Sequence, residues 1–376
     1  MGAMDELIGP EVVDRLRSAV RSAEPALELS ELSDVRVSLE GRRLRDRVDL
    51  VRDAMLADLP GGFPAARRVV EGVLSVPDFE GWMIWPVTEV VAARALEDGS
   101  TTAFDGGLDV LALLTTRLSS EFAIRDMLLA RPERALGIIR GWTGHENEHV
   151  RRLASEGTRA YLPWAKRVPW LVAHPDATRG ILDALHRDPA VYVRRSVANH
   201  LNDLSRIDAA LVTTTARGWA ADPSADTPWV IRHGLRTLIK KADPDALALV
   251  GFSGDRLRVD RLQLHETLVR LHEDALTFTA RVTNDGDEDA TVAIDYSIGF
   301  QRFNGTVSPK TFKLASRRLR SGESVTVSKT HSFRRITTRT YYPGPHVVTV
   351  QANGVRSEAA HFTVIDPSAV DPSAER

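Results

Sequence analysis

The sequence contains no cysteine among its 376 residues. Disulfide bonds and thiolate metal sites are therefore excluded, and a reducing compartment is the natural environment for such a chain. No stretch approaches the roughly 18 consecutive apolar residues of a membrane helix, and no secretory signal opens the sequence. We therefore expect a cytoplasmic protein without membrane segments.

Several common catalytic signatures are also absent. The sequence has no G-x-G-x-x-G or G-K-[ST] motif for cradling phosphates, and no G-x-S-x-G elbow for a nucleophilic serine. Lys166 is the only lysine within the suspected active surface of the helical region, so an amine nucleophile has little support. Carboxylates are the remaining candidates for chemistry.

One metal-site motif is present, in the run His145–His149. It matches H-E-x-x-H, in which two histidines one helical turn apart bind zinc. We interpret it instead as a turn between helices, because it follows Thr143-Gly144 at the start of a helix and no convincing third ligand appears downstream. We expect neither a metal nor an organic cofactor.

Residues 1–260 show helical periodicity, with apolar residues three or four positions apart, as in Leu111, Leu114 and Leu118. The predicted helices form pairs whose second member carries an arginine, and these arginines recur irregularly, at intervals of roughly 40 residues. They are Arg125, Arg152, Arg195 and Arg232. This pattern favours HEAT-like two-helix repeats stacked into an all-α solenoid, whose concave side is a usual binding surface.

After about residue 260 the periodicity changes from helical to two. Residues 265–365 contain about seven alternating, β-branched segments separated by turns, such as 276–283 and 346–350. This part predicts an all-β immunoglobulin-like sandwich. Residues 366–376 are expected to form a disordered tail.

Two of the predicted helices carry a carboxylate among cationic or polar residues on one face, while apolar residues occupy the other. The first such face consists of Arg152, Ser155, Glu156 and Arg159, and the second of Arg195, Asn199, Asn202 and Asp203. A third carboxylate, Glu121, begins a helix near Arg125. For one helix alone, a solvated Arg152–Glu156 pair is the alternative, but recurrence in a neighbouring repeat weighs against it. We expect these faces to be exposed and to line one cleft.

Cleavage of a glycosidic bond needs carboxylates but neither a metal nor a nucleotide cofactor. A negative charge stabilises the developing oxocarbenium ion, and a second acid activates water. On a DNA substrate the arginines would hold phosphates, and Trp164 would contact an exposed sugar or a cationic base.

The predicted sandwich carries a local excess of positive charge. Residues 301–340 hold ten Lys or Arg against one acid, Glu323, which indicates a surface for a polyanion and predicts a second DNA clamp. The residues expected to contact DNA are Arg125, Arg152, Arg159, Lys166, Arg195 and Asn202 in the helical part, and Arg317, Arg318, His331, Arg334 and Arg335 in the sandwich.

Four segments resemble a known family. They are Ser119–Arg125, His149–Gly157, Leu162–Trp164 and Val193–Ser205, of which the run Val-Ala-Asn-His-Leu-Asn-Asp is the most specific. They are similar to the HEAT-like-repeat DNA alkylation glycosylases, and more closely to the AlkC branch and its subset with a C-terminal immunoglobulin-like domain. The resemblance covers nearly the whole chain, from about residue 10 to 365.

The resemblance implies removal of cationic N-alkylated bases, chiefly 3-methyladenine and also 3-methylcytosine, from duplex DNA. It implies catalytic roles for Glu156 and Asp203 near the sugar, for Trp164 beside the lesion and for Glu121 in support. We expect a bacterial, nucleoid-associated monomer. The alternatives are a non-catalytic HEAT-repeat scaffold for a protein partner and a DNA-binding relative without catalysis. Steep weakening of DNA binding with salt would distinguish DNA binding from protein binding.

Overall fold

The computed structural model describes residues 4–59, 61–252, 254, 256–336 and 339–367. The chain divides into two compact units, Met1–Gly234 and Leu235–Arg376. The first unit is helical, and the second has two short helices followed by β-strands. The tail predicted at 366–376 lies, from residue 368 onward, outside the described residues.

Sixteen α-helices are present among the described residues. They are α1 (Pro10–Ala23), α2 (Ser30–Asp34), α3 (Leu44–Asp58), α4 (Phe63–Val73), α5 (Ile84–Asp98), α6 (Thr101–Leu114), α7 (Ile124–Ala130), α8 (Pro132–Gly141), α9 (Glu148–Glu156), α10 (Pro169–Ala173), α11 (Arg179–Leu185), α12 (Val191–Leu204), α13 (Ala209–Ala221), α14 (Thr227–Gly234), α15 (Arg236–Lys240) and α16 (Pro244–Leu249). Within the described part of the chain, no helix combines the length and the apolar character needed to cross a membrane.

The helices of the first unit follow one another in pairs, as the HEAT-like pattern predicted. The pairs α8 and α9, α11 and α12, and α13 and α14 each consist of two consecutive helices joined by a short connection. Local signals set their bounds, since a proline occupies the first turn of α8 and the side chains of Asn147 and Asp208 cap α9 and α13. Within each pair, the apolar stripe of each helix is buried.

Helix α12 is buried more completely than the sequence predicted. It packs against α9 on one side and against α14 on another, so polar residues of its last turns are covered as well as apolar ones. Asn202 and Asp203 are each 3% exposed. The expectation of an exposed polar face along this helix is therefore wrong at these two positions, because a helix inside a stack has neighbours on more than one side.

The second unit contains ten strands among the described residues. They are β1 (Leu257–Val259), β2 (Gln263–Leu264), β3 (Leu268–Arg270), β4 (Ala275–Asn284), β5 (Ala290–Gln301), β6 (Val307–Leu319), β7 (Ser324–Ser332), β8 (Gly344–Ala352), β9 (Val355–Arg356) and β10 (Ala360–Ile365). In one sheet β4 pairs with β1 and β2 on one side and with β7 on the other; the second sheet has the order β3-β10-β8-β5-β6, with β9 paired to β8.

Residues from both sheets meet in one apolar core, which makes the strand region a β-sandwich. The core is centred on aromatic residues, including Phe278, Tyr296, Phe333 and Phe362. The strands alternate between buried and exposed positions, as in β4 and β8. Strands β6 and β7 are the edge strands of their sheets, and their inner positions therefore border the rim of the core.

Candidate active site

The two predicted catalytic carboxylates, Glu156 and Asp203, are joined by one guanidinium. Arg159 donates through Nη1 to Glu156 Oε1 at 2.6 Å and through Nε to Asp203 Oδ2 at 2.8 Å. All three side chains are less than 10% exposed. The expectation that Arg159 contacts DNA is therefore wrong for this arrangement, because its donors are directed at the two acids.

A second arginine extends the network to the third carboxylate. Arg152 forms a short ion pair with Glu121 and lies 3.5 Å from Glu156. Its guanidinium also lies over the ring of Tyr192, 5.0 Å from the centroid. The result is a chain of alternating charges, listed in order as Glu121, Arg152, Glu156, Arg159 and Asp203. Three acids and two arginines give this chain a formal charge of −1.

Burial and pairing act against each other in this network. Burial raises the pKa of Asp203, and the hydrogen bond and charge of Arg159 oppose that rise without cancelling it. Burial lowers the pKa of Arg159, but Asp203 and Glu156 outweigh it, so the net shift is upward. The pKa of Arg152 is likewise raised, by Glu121 and Glu156 against burial. Both guanidiniums are therefore firmly cationic, and they hold the acids in place.

The contact between α9 and α12 positions the two acids. His200 donates from Nδ1 to the carbonyl of Ser155 at 2.9 Å, and its Nε2 lies 3.1 Å from the hydroxyl of Thr178. The hydroxyls of Ser155 and Ser196 lie 3.0 Å apart. Burial, with the charge of Arg159, lowers the pKa of His200 to about 3, so the imidazole is neutral. These contacts explain why the family-like run contains a histidine between Val197 and Asp203.

Gly157 ends α9 directly after Glu156, and the packing leaves no room for a side chain there. A Cβ at this position would lie 2.8 Å from Cγ2 of Ile124. Only glycine fits at this position, where α9 packs closely against Ile124.

Arg125 supports the segment that follows this turn. It is 1% exposed and donates to the carbonyls of Gly157, Arg159 and Lys166. Burial lowers its pKa to about 10, which still leaves it charged at neutral pH. The expectation that Arg125 binds DNA is wrong, because its guanidinium is enclosed by backbone oxygens and is out of reach of a phosphate.

Trp164 is an exposed residue of this segment. It is 72% exposed and its φ is 63°, in the left-handed region that side chains other than glycine seldom adopt. The segment is anchored on both sides, by buried Leu162 and by the bond from Arg125 to the Lys166 carbonyl. An exposed indole in a strained, anchored conformation is typical of a residue kept for contact with a ligand.

Trp164 and two of the three carboxylates line one cleft of about 360 Å³. Its walls also include aromatic side chains that the sequence analysis missed, namely Trp82, Trp85, Phe122 and Tyr192. Trp85 stacks on Phe122 at a centroid distance of 4.2 Å and donates from Nε1 to buried Glu89. The aromatic–acidic composition of this cleft suits a flat cationic ligand.

The remaining site residues of the helical unit lie in different surroundings. Asp203 is outside the lining of the cleft, on the far side of Arg159 from Glu156. Lys166 is exposed and pairs with Asp126, and Arg195 is exposed on α12. Asn202 is buried, so the expectation that it contacts DNA directly is wrong.

The H-E-x-x-H run does not form one helical face. His145 precedes the helix and accepts a hydrogen bond at Nδ1 from the backbone of Asn147. His149 lies in the first turn of α9, with its ring against Tyr192. Because the two histidines lie in different local structures, they lack the i, i+4 geometry of the zinc motif. This agrees with the interpretation of the run as a turn between helices.

In the sandwich, Arg317, Arg318, Arg334 and Arg335 are exposed. Arg318 pairs with Asp289 at 3.3 Å. His331 differs, because it is 8% exposed and packs among the aromatic residues of the core. The expectation that His331 contacts DNA is therefore wrong, because its position in β7 directs the ring inward.

The chain thus combines a HEAT-like helical unit, which carries arginine-bound carboxylates beside an aromatic cleft, with a following β-sandwich. The family model described as "Uncharacterised protein YhaZ, C-terminal Ig-like domain" matches residues 258–366. The "Uncharacterized protein YhaZ" of Bacillus subtilis (strain 168) is 32% identical, over 97% of this chain and 100% of that protein. The solved structure of Pseudomonas fluorescens alkylpurine DNA glycosylase AlkC, bound to DNA containing an abasic site analog, matches with a TM-score of 0.80 and 30% identity, over 97% of this chain and 99% of that chain.

The chain therefore belongs to the AlkC family, in the branch that carries a C-terminal immunoglobulin-like domain.

Proposed function

We propose that the protein is a DNA glycosylase that removes cationic N-alkylated bases, 3-methyladenine and 3-methylcytosine, from duplex DNA by hydrolysis of the N-glycosidic bond. Membership of the AlkC family supports the reaction class. The observation that carries the proposal is the buried carboxylate network beside an aromatic cleft, whose five linked side chains have a formal charge of −1. A cationic substrate would compensate that charge.

The chemistry follows from the state of the substrate. An N-alkylated base is already a cation and therefore a good leaving group, so a dedicated general acid is unnecessary. The main requirement is a negative charge beside the sugar as the oxocarbenium ion develops. Preorganised electrostatic groups of this kind typically contribute about 3–4 kcal/mol each.

Glu156 and Asp203 are the proposed source of that charge. Glu156 lines the cleft, and Asp203 adds its charge from behind Arg159. Because Arg159 fixes both carboxylates, neither has to reorient when the sugar becomes cationic. Glu121 fixes Arg152 in the same way and thereby supports Glu156. One of the carboxylates would position the attacking water.

The aromatic walls are proposed to hold the base. Trp164, exposed at the rim, would lie beside the lesion, and the stacked pair of Trp85 and Phe122 forms a flat surface further along the cleft. The faces of aromatic rings attract cations, with about 0.5–2 kcal/mol per contact. This selects a charged alkylated base over its neutral parent.

DNA binding is proposed to use both units. Lys166 and Arg195 are exposed on the helical unit, and exposed arginines of the sandwich, including Arg334 and Arg335, would form a second clamp. Bending a duplex costs on the order of 1–6 kcal/mol, which added phosphate contacts offset. We propose that the protein acts as a monomer in the bacterial cytoplasm, at the nucleoid.

The direct test is incubation of the protein with methylated duplex DNA, followed by chromatographic identification of the released base. Release of 3-methyladenine or 3-methylcytosine, with an abasic site left in the DNA, is the expected result. Tight DNA binding without base release would instead favour a DNA-binding relative that lacks catalysis. Binding that is insensitive to salt would favour a protein scaffold.

A further inference from the structure

The rim of the sandwich between β6 and β7 departs from the apolar pattern of its core. Lys310 on β6 is paired with Ile298, and Lys329 on β7 is paired with Phe278. Directly paired residues project from the same face of a sheet, and both partners are fully buried. Both lysines therefore occupy inner positions, on the two edge strands.

A third cation joins them. The guanidinium of Arg339 lies over the rings of Phe300 and Phe312, 4.2 and 5.9 Å from their centroids. The ammonium of Lys310 lies 5.5 Å from the centroid of the same Phe312 ring. Arg339 and Lys310 are thus held against one aromatic surface.

His331 lies beneath these cations and has an unused ring nitrogen. Its ring is 5.0 Å from that of Phe312, and its Nδ1 lies 2.9 Å from the hydroxyl of Tyr296. Its Nε2 is buried and has no hydrogen-bond partner. Burial, together with the charges of Arg339, Lys329 and Lys310, lowers the pKa of His331 to about 4. Lys329 lies two residues before His331 and therefore on the same face of β7.

No acid balances this cluster in the described part of the chain. Elsewhere in the sandwich arginines pair with acids, as Arg258 does with Asp285 and Arg318 with Asp289. Like charges that gather around a buried imidazole repel one another unless an anion neutralises them. A tetrahedral oxyanion matches the donors, because ammonium and guanidinium groups both bind phosphate oxygens.

We propose that Lys310, Lys329 and Arg339, which lie around the buried ring of His331, form a binding site for one backbone phosphate of DNA. The proposal rests on the proposed function for its source of phosphate. This site is separate from the exposed Arg334 and Arg335, and it fixes where on the sandwich the duplex backbone lies.

The test compares two double variants of the full chain. K310Q/K329Q removes two inner charges, and the matched control K313Q/R281Q removes two charges from outward-facing positions of the same two sheets, opposite Asp295 and Thr326. Binding to an unmodified duplex is measured across a salt series. K310Q/K329Q is expected to bind about threefold more weakly, with a log–log salt slope smaller by about 1, the effect of losing one phosphate contact. K310R/K329R should restore binding.

A second readout follows His331 directly. Its imidazole nitrogen resonances should shift when duplex DNA is added to the parent and not when it is added to K310Q/K329Q. The single variant R339Q gives an independent result if the double variant unfolds. Thermal unfolding of each variant establishes that it is folded.

The outcomes separate the alternatives. Binding by K310Q/K329Q equal to that of the control overturns the proposal. If K310Q/K329Q self-associates and its DNA binding is unchanged, the inward lysines only prevent the edge strands of two molecules from pairing, and the proposal is overturned. Another outcome is that the His331 resonances shift with inorganic phosphate while DNA binding is the same with and without the two lysines. That result would assign the site to free phosphate and would overturn the proposal that it binds DNA. A parent that binds DNA through these lysines but releases no base would refute the proposed function and leave this site standing.

Discussion

Arg159 and Asp203 form a buried ion pair, Nε to Oδ2 at 2.8 Å, although they are 44 positions apart in the sequence. The same guanidinium holds Glu156. This one side chain therefore ties the end of α9 to the end of α12 and determines where both acids lie.

Replacing Arg159 tests that role. R159K keeps the charge but lacks the planar fork that reaches two carboxylates, so base excision should fall about a hundredfold through misplacement of the acids. R159M leaves two buried carboxylates without a partner and should lower the free energy of unfolding by about 3–5 kcal/mol. The control is R21K, on an exposed position of α1, which should keep both properties. Parent-like excision by R159K would show that the bridge is dispensable.

Excision in the presence of a metal chelator tests the interpretation of the H-E-x-x-H run as a turn that binds no metal. Because His145 precedes the helix while His149 packs against Tyr192, the pair lacks the geometry for zinc. Excision should persist in excess chelator, and H145A/H149A should retain it within a few-fold. Activity that is lost with chelator and returns with zinc would restore a metal to the mechanism.

His200 predicts how stability depends on pH. Its pKa is about 3 in the folded protein and, as an exposed histidine, about 6.5 in the unfolded chain. Its contribution to stability is therefore complete above pH 6.5 and is lost as the pH falls toward 3, at up to about 1.4 kcal/mol per pH unit. Denaturant unfolding at pH 7, 6 and 5 should show a shallower loss for H200N than for the parent. Parallel pH profiles would contradict this.

The exposed arginines of the sandwich test the second clamp. R334E/R335E should weaken binding to lesion-containing duplex at least tenfold and reduce the steepness of its salt dependence, because two phosphate contacts become repulsive. K240E/K241E is the control, with the same charge change on exposed residues of the same unit. If both variants bind DNA equally well, those arginines have no specific part in the clamp.

Sequence periodicity predicted more of the fold than of the site. The change from a helical period to a period of two separated the helical and strand regions, because those periods follow from backbone geometry alone. Glu156 and Asp203 could be expected near one another, since each lies on the polar face of the second helix of neighbouring pairs, one and two helical turns after the aligned Arg152 and Arg195. Spacing along one helix could not reveal that Arg159 joins them, because that contact depends on how two helices pack.

The residues that sequence reasoning misjudged share a physical cause. Arg125 and His331 are charged or polar residue types that are usually exposed, but one is buried among backbone carbonyls and the other among aromatic rings. The aromatic walls were missed for another reason. Trp82 and Trp85 come from one segment and Tyr192 from a distant one, and they meet only in the folded chain. A Trp-x-x-Trp spacing on a helical stretch was the available signal.

The central claim is that the charges of Glu156 and Asp203 drive base excision and do not serve DNA binding. The most direct measurement is the single-turnover rate of excision from methylated duplex by E156Q and by D203N, with DNA affinity measured in parallel. E148Q, an exposed acid at the start of α9, is the control. We predict that each site variant loses about a hundred- to a thousandfold in rate, while its affinity for DNA is unchanged or tighter. Excision by both variants at a rate close to that of the parent would contradict the account.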